Sequence, residues 1–151
     1  MKPWNSANEI LDFAIGNEEE AASFYTDLAQ QMESASMRKM FEDFAREEQE
    51  HKAKLLRVKQ SGKFEPATGQ ILDLKIGDYL VDTEPVPDMD YQQALILAIK
   101  REAAAIKLYS DLASVAPDED LRRLLLTLSE EETKHKHRFE VEYDDHILTE
   151  N

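Results

Sequence analysis

Apolar residues return every three or four positions along four long stretches of the chain, the spacing that gives a helix one buried face. In the first, Leu11, Ala14, Ile15, Ala22, Tyr25, Leu28, Ala29 and Met32 share a stripe. They predict a helix over 8–33, with Asn5, Ser6 or Asn8 available to cap it. The polar turn Glu33-Ser34-Ala35-Ser36 leads into a second helix over 37–60 that Gly62 ends. Its stripe interleaves Met37, Phe41, Phe44, Glu48, His51, Leu55 and Val58. A third helix over 90–115 turns Leu95, Ala98, Ile99, Glu102, Ile106, Tyr109 and Leu112 inward. Pro117, Asp118, Glu119 and Asp120 suit a helix N-terminus and open a fourth over 118–147. Leu121, Leu125, Leu128, Glu132, His135 and Phe139 form its stripe, and the tail beyond is polar.

Residues 61–89 interrupt this pattern and hold three of the four glycines and three of the five prolines. The segment is too long for a hairpin turn and too apolar for a free linker. Residues 71–80 within it fit either a short helix or an extended piece. A helix of 25 residues is about 37 Å long, a span this segment crosses easily. A crossover of that kind makes the second and third helices parallel. The expected fold is therefore all-α: one domain over 1–151, a four-helix bundle of two helical hairpins joined by a long crossover connection over 61–89.

The stripes carry charge where a core should be apolar. Glu-x-x-His occurs twice, as Glu48 with His51 and as Glu132 with His135, and the two copies lie 84 residues apart. Residues three apart share a helix face, so each pair can converge on one metal ion. Shifting the chain by 84 superimposes its halves without a gap. Glu18 meets Glu102, Tyr25 meets Tyr109, and Asp27-Leu28-Ala29 meets Asp111-Leu112-Ala113. Two hairpins packed face to face would thus gather Glu18, Glu48, His51, Glu102, Glu132 and His135 in one core.

Any one of nineteen glutamates can fall on a stripe by chance. Six matched positions are harder to dismiss, because four ionised carboxylates without inward lysine or arginine each face a desolvation cost of several kcal/mol. Two divalent cations would cancel the four charges. Carboxylate with imidazole suits iron or manganese rather than a thiolate metal, and the chain has no cysteine. That absence also excludes disulfides, a cysteine nucleophile and iron–sulfur clusters. The net charge of −14 argues against nucleic acid and anionic membrane surfaces, and suits cation uptake, a basic partner or plain solubility. The opening residues Met1 to Ser6 show no apolar leader and no run reaches membrane-spanning length, so a cytoplasmic location is expected.

These motifs resemble the rubrerythrin branch of the ferritin-like superfamily, over roughly 8–147. The resemblance implies that Glu48 and Glu132 bridge two iron ions, that Glu18 and Glu102 are terminal carboxylates, and that His51 and His135 bind one ion each. It implies redox chemistry with hydrogen peroxide or dioxygen, as peroxide scavenging or ferroxidase activity, an external electron-donor protein and a homodimer. Manganese in place of iron, a metal-binding or sensing role without turnover, and an oxygenase acting on an organic substrate are the alternatives. Tyrosines placed like Tyr25 and Tyr109 hydrogen-bond to ligands in the family and orient them, although each also fits as core filling. Glu47, Glu131, Asp27 and Asp111 are weaker candidates for the same task. His137 reads as a surface residue, and His146 as too distant to join the site. Two departures stand out. The chain lacks the cysteines of a rubredoxin domain, and Ala105 replaces an additional glutamate of typical rubrerythrins. Gln49 stands where bacterioferritin has its haem-ligating methionine, and no fifth helix is expected, so mineral storage is disfavoured.

Overall fold

The computed structural model describes residues 7–62, 90–116 and 119–145. They form four helices: α1 (Ala7–Gln31), α2 (Ala35–Ser61), α3 (Tyr91–Ser114) and α4 (Glu119–Tyr143). The all-α four-helix bundle expected from the periodicity is thus present. Residues 63–89 of the expected crossover, the candidate caps Asn5 and Ser6, and His146 lie outside the described residues.

Local chemistry sets the helix ends. Asn8 falls inside α1 and caps nothing. Ser34 begins α2 two residues earlier than the periodicity suggests, because its hydroxyl accepts from Met37 N at 3.5 Å. At the other end Gly62 adopts φ 67°, a left-handed conformation that favours glycine, and its N–H returns to the Lys59 carbonyl. Asp90 and Gln93 cap α3 reciprocally: Gln93 N donates to Asp90 Oδ1 at 2.7 Å and Asp90 N to Gln93 Oε1 at 3.0 Å. The α4 helix runs to Tyr143 and continues as a wider helical turn through Asp145, and the last two residues of its expected span lie outside the described residues.

Paired contacts fix the helix directions. Lys59 reaches Asp12 at 2.5 Å and Lys52 reaches Glu19 at 3.5 Å, so α1 and α2 run antiparallel. Gln92 with Tyr143 and Ser110 with Ser129 give the same relation for α3 and α4. Tyr25 bonds Glu102 while Tyr109 bonds Glu18, which makes α1 antiparallel to α3 and hence α2 parallel to α3. Backbones approach closely along each hairpin, but helices of different hairpins come near each other at few places. The space between the hairpins is filled by side chains.

Two apolar clusters flank that space, and they differ. Tyr25 sits among the rings of Phe24, Phe41, Phe44 and Phe139, with centroids 5.5–6.3 Å away. The residues 84 positions from those four are Leu108, Leu125, Leu128 and Leu55, all in the cluster that holds Tyr109. The repeat preserves the polar core while exchanging phenylalanine for leucine around it.

Candidate metal centre

Each half offers one glutamate from its first helix and a Glu-x-x-His pair from its second. Glu18, Glu48, His51, Glu102, Glu132 and His135 are all buried, at most 3% exposed, although isolated carboxylates almost never are. Among the described residues, no lysine or arginine is buried with them.

The side chains fall into two groups of four, each with ligand atoms within 4.8 Å of one another: Glu18, Glu48, His51 and Glu132, and Glu48, Glu102, Glu132 and His135. Glu48 and Glu132 belong to both. One atom of every member lacks a hydrogen-bond partner: Glu18 Oε2, Glu48 Oε1, His51 Nδ1, Glu102 Oε2, Glu132 Oε1 and His135 Nδ1. His51 Nδ1 lies 2.9 Å from Glu132 Oε1 yet forms no hydrogen bond with it. Leaving a buried polar atom unsatisfied costs about 1–3 kcal/mol, more for a charged group. Six such atoms directed at common points are the pattern a pair of cations would satisfy, so the residues fit a dinuclear metal site.

The opposite ends of the same side chains are held. Tyr25 donates to Glu102 Oε1, and Tyr109 donates to Glu18 Oε1. His51 Nε2 pairs with Glu131, and His135 Nε2 pairs with Glu47 at 2.5 Å. Each imidazole therefore turns Nδ1 inward and Nε2 toward a carboxylate of the other hairpin, an arrangement that fixes the tautomer and orientation of a metal-binding histidine. The two rings lie nearly parallel, with centroids 6.4 Å apart. Asp27 is exposed and Asp111 is bound to Lys107 at 2.9 Å, so neither is brought to the centre. His137 is exposed, as its sequence position suggests.

Electrostatics without a cation is correspondingly strained. Burial pushes Glu48 up to about 8, assisted by the charges of Glu102 and Glu18. Glu132 is raised well above the carboxylate range by burial and then by Glu102 and Glu48. Burial disfavours the charged form of both histidines, but the facing carboxylates outweigh it. Glu18 and Glu48 lift His51 to about 9, and Glu102 and Glu48 lift His135 to about 11. Glu102 is lowered despite its burial, by Glu132 and His135. The tyrosine hydroxyls are raised well above their ordinary value, first by burial and then by the glutamates they bond, so both remain donors. Protons here occupy a position that divalent cations can take.

The comparisons agree with this geometry. A family model described as Rubrerythrin matches residues 9–143. Among solved structures, the chain is similar to a protein of Thermotoga maritima described as a ferritin-like diiron-carboxylate protein, with a TM-score of 0.76 and 20% identity. The match spans 97% of this chain and 99% of that one, a likeness of fold. No curated protein matches the chain. With the two matched ligand groups in place and the family pattern running through all four helices, the chain belongs to the rubrerythrin family.

Proposed function

We propose that the chain is a non-haem di-iron oxidoreductase that reduces hydrogen peroxide or dioxygen and is re-reduced by an external electron-donor protein. The convergence of six partnerless buried ligand atoms, two of them shared between groups, carries this reading. Glu48 and Glu132 would bridge the two ions, Glu18 and Glu102 would complete one each, and His51 and His135 would bind through Nδ1. Bound iron would supply the electrons for cleaving the O–O bond, Fe(II) becoming Fe(III). The chain's own part is to hold that geometry. Tyr25 and Tyr109 fix the terminal glutamates, Glu47 and Glu131 fix the imidazoles, and the surrounding phenylalanine and leucine clusters keep bulk water from the carboxylates. A homodimer in the cytoplasm, with manganese as a competing occupant, completes the proposal.

Metal analysis of the purified chain, followed by stopped-flow mixing of the Fe(II)-loaded protein with peroxide or dioxygen, tests it. Two iron ions per chain and rapid oxidation support the reading. A chain that binds neither iron nor manganese on reconstitution overturns it. Ala105, which packs against the aliphatic cluster where typical rubrerythrins have another carboxylate, favours one second reading: metal is held for sensing or buffering without turnover. Negligible oxidation of a fully loaded protein would select it.

A further inference from the structure

Beside His135 the surface between α2 and α4 dips into a cavity of about 430 Å³, lined by Lys39, Met40, Phe44, Glu47, Lys134 and Arg138 among others. Its wall is aromatic, the Phe44 ring stacking on the His135 imidazole with centroids 4.3 Å apart. Its rim carries three cations on a chain of net charge −14. Asp43 engages Lys39 at 2.9 Å, whereas Lys134 has no ion-pair partner among the described residues. Arg138 rests its Nε on Met40 Sδ at 3.3 Å, which lays the guanidinium across the apolar wall.

The combination is not a by-product of the repeat. The residues 84 positions from Met40, Phe44 and Lys134 are Leu124, Leu128 and Glu50, so the other half has neither the ring nor the same charge. We propose that this cavity binds a small organic carboxylate, its charged end held by Lys134 and Arg138 and its apolar body laid on Met40 and Phe44. The volume lies within the roughly 300–1,000 Å³ typical of small-molecule sites. Guanidinium and ammonium groups make charge-assisted hydrogen bonds to carboxylates, and the planar guanidinium matches them in shape. The two acidic residues of the lining do not oppose this, since Glu47 is bonded to His135 and Asp43 to Lys39 and Arg46. An occupant would lie against Phe44 and His135, which places an organic molecule next to one half of the candidate centre and not the other.

This inference goes beyond the redox reading and is measured without it, by titrating the intact chain with benzoate in calorimetry and NMR, before and after metal loading. Benzamide serves as the uncharged counterpart and inorganic phosphate as the anion without an apolar body. Benzoate is expected to bind saturably, and both controls at least about tenfold more weakly. The double variant Lys134→Glu, Arg138→Glu should lose about tenfold or more in affinity. Met40→Trp should fill the cavity and exclude benzoate, while Lys54→Glu, at the position 84 residues before Arg138 and outside the cavity, should leave binding unchanged. Far-UV circular dichroism confirms that each variant is folded. No saturable binding, phosphate binding as tightly as benzoate, or affinity unchanged in both the double variant and Met40→Trp overturns the proposal.

Discussion

Tyr25 donates its hydroxyl to Glu102 on the other hairpin and not to Glu18, two turns back on its own helix. Tyr109 returns the bond to Glu18. Seven residues along a helix span about 10 Å, too far for a hydroxyl to reach back, whereas antiparallel α1 and α3 bring the exchanged partners together. Each half therefore orients the other's candidate ligand. Tyr25→Phe is expected to retain the fold while weakening metal binding by about 10–100-fold. Competition with a chromophoric chelator measures it, and an affinity equal to the parent's would show that the bond does not position Glu102.

The shared membership of Glu48 and Glu132 distinguishes them from Glu18 and Glu102. Glu48→Ala should abolish tight binding of both ions, whereas Glu18→Ala should spare much of the occupancy of the group around His135. Metal content per chain after desalting decides between these outcomes. Retention of both ions by Glu48→Ala would mean that the two groups are filled independently.

In the metal-free protein the same glutamates oppose folding. Burial and the repulsion of Glu102 and Glu18 penalise the charged form of Glu48, and a neutral amide of the same size removes both costs. Glu48→Gln should accordingly raise the melting temperature of the metal-free chain and lower that of the loaded one. Calorimetry with and without chelator reads both signs, and a fall in both forms would mean that Glu48 has a packing role that the metal does not explain.

Stability should depend on pH in an unusual direction. A group whose folded pKa is raised contributes stability that is complete below its unfolded value and is lost as pH rises through its folded value. For His51 the loss runs from 6.5 to about 9, for His135 from 6.5 to about 11, and for Glu48 from 4.5 to about 8. Glu102, lowered in the fold, has the opposite sign, but its change is complete above 4.5. The metal-free protein should lose stability between pH 6.5 and 9. Metal competes for the sites those protons hold, so its affinity should grow over the same window. Melting temperatures at several pH values should show the loaded and metal-free forms diverging; a metal-free form that grows more stable across the window contradicts the assignment.

Much of this was legible in the chain because helical periodicity and a repeat are both local signals. The stripe around Phe41, Glu48, His51 and Leu55 is buried as its spacing predicts, and the offset of 84 aligns groups that do meet. Helix starts were unevenly legible: α3 begins at Asp90 as its pattern suggests, whereas α2 starts two residues early because Ser34 acts through a single side-chain bond that periodicity does not encode. The partners of the histidines were hardest to assign. Glu47 and Glu131 each sit one residue before a buried glutamate, at positions 48% and 34% exposed, and look like solvated charges on their own helices. Only the antiparallel pairing of α2 with α4 carries each to the opposite imidazole, and that pairing is tertiary.

The exchange of phenylalanine for leucine gives the molecule a built-in pair of reporters. Tyr25 and Tyr109 make matching bonds to matching glutamates, but Tyr25 lies in the ring currents of four aromatic neighbours while the corresponding positions about Tyr109 are leucines. Their proton resonances should therefore be well separated in one spectrum. Tyr25 senses the group around His135 and Tyr109 the group around His51, so the order in which the two halves fill can be read from the native chain without an added label.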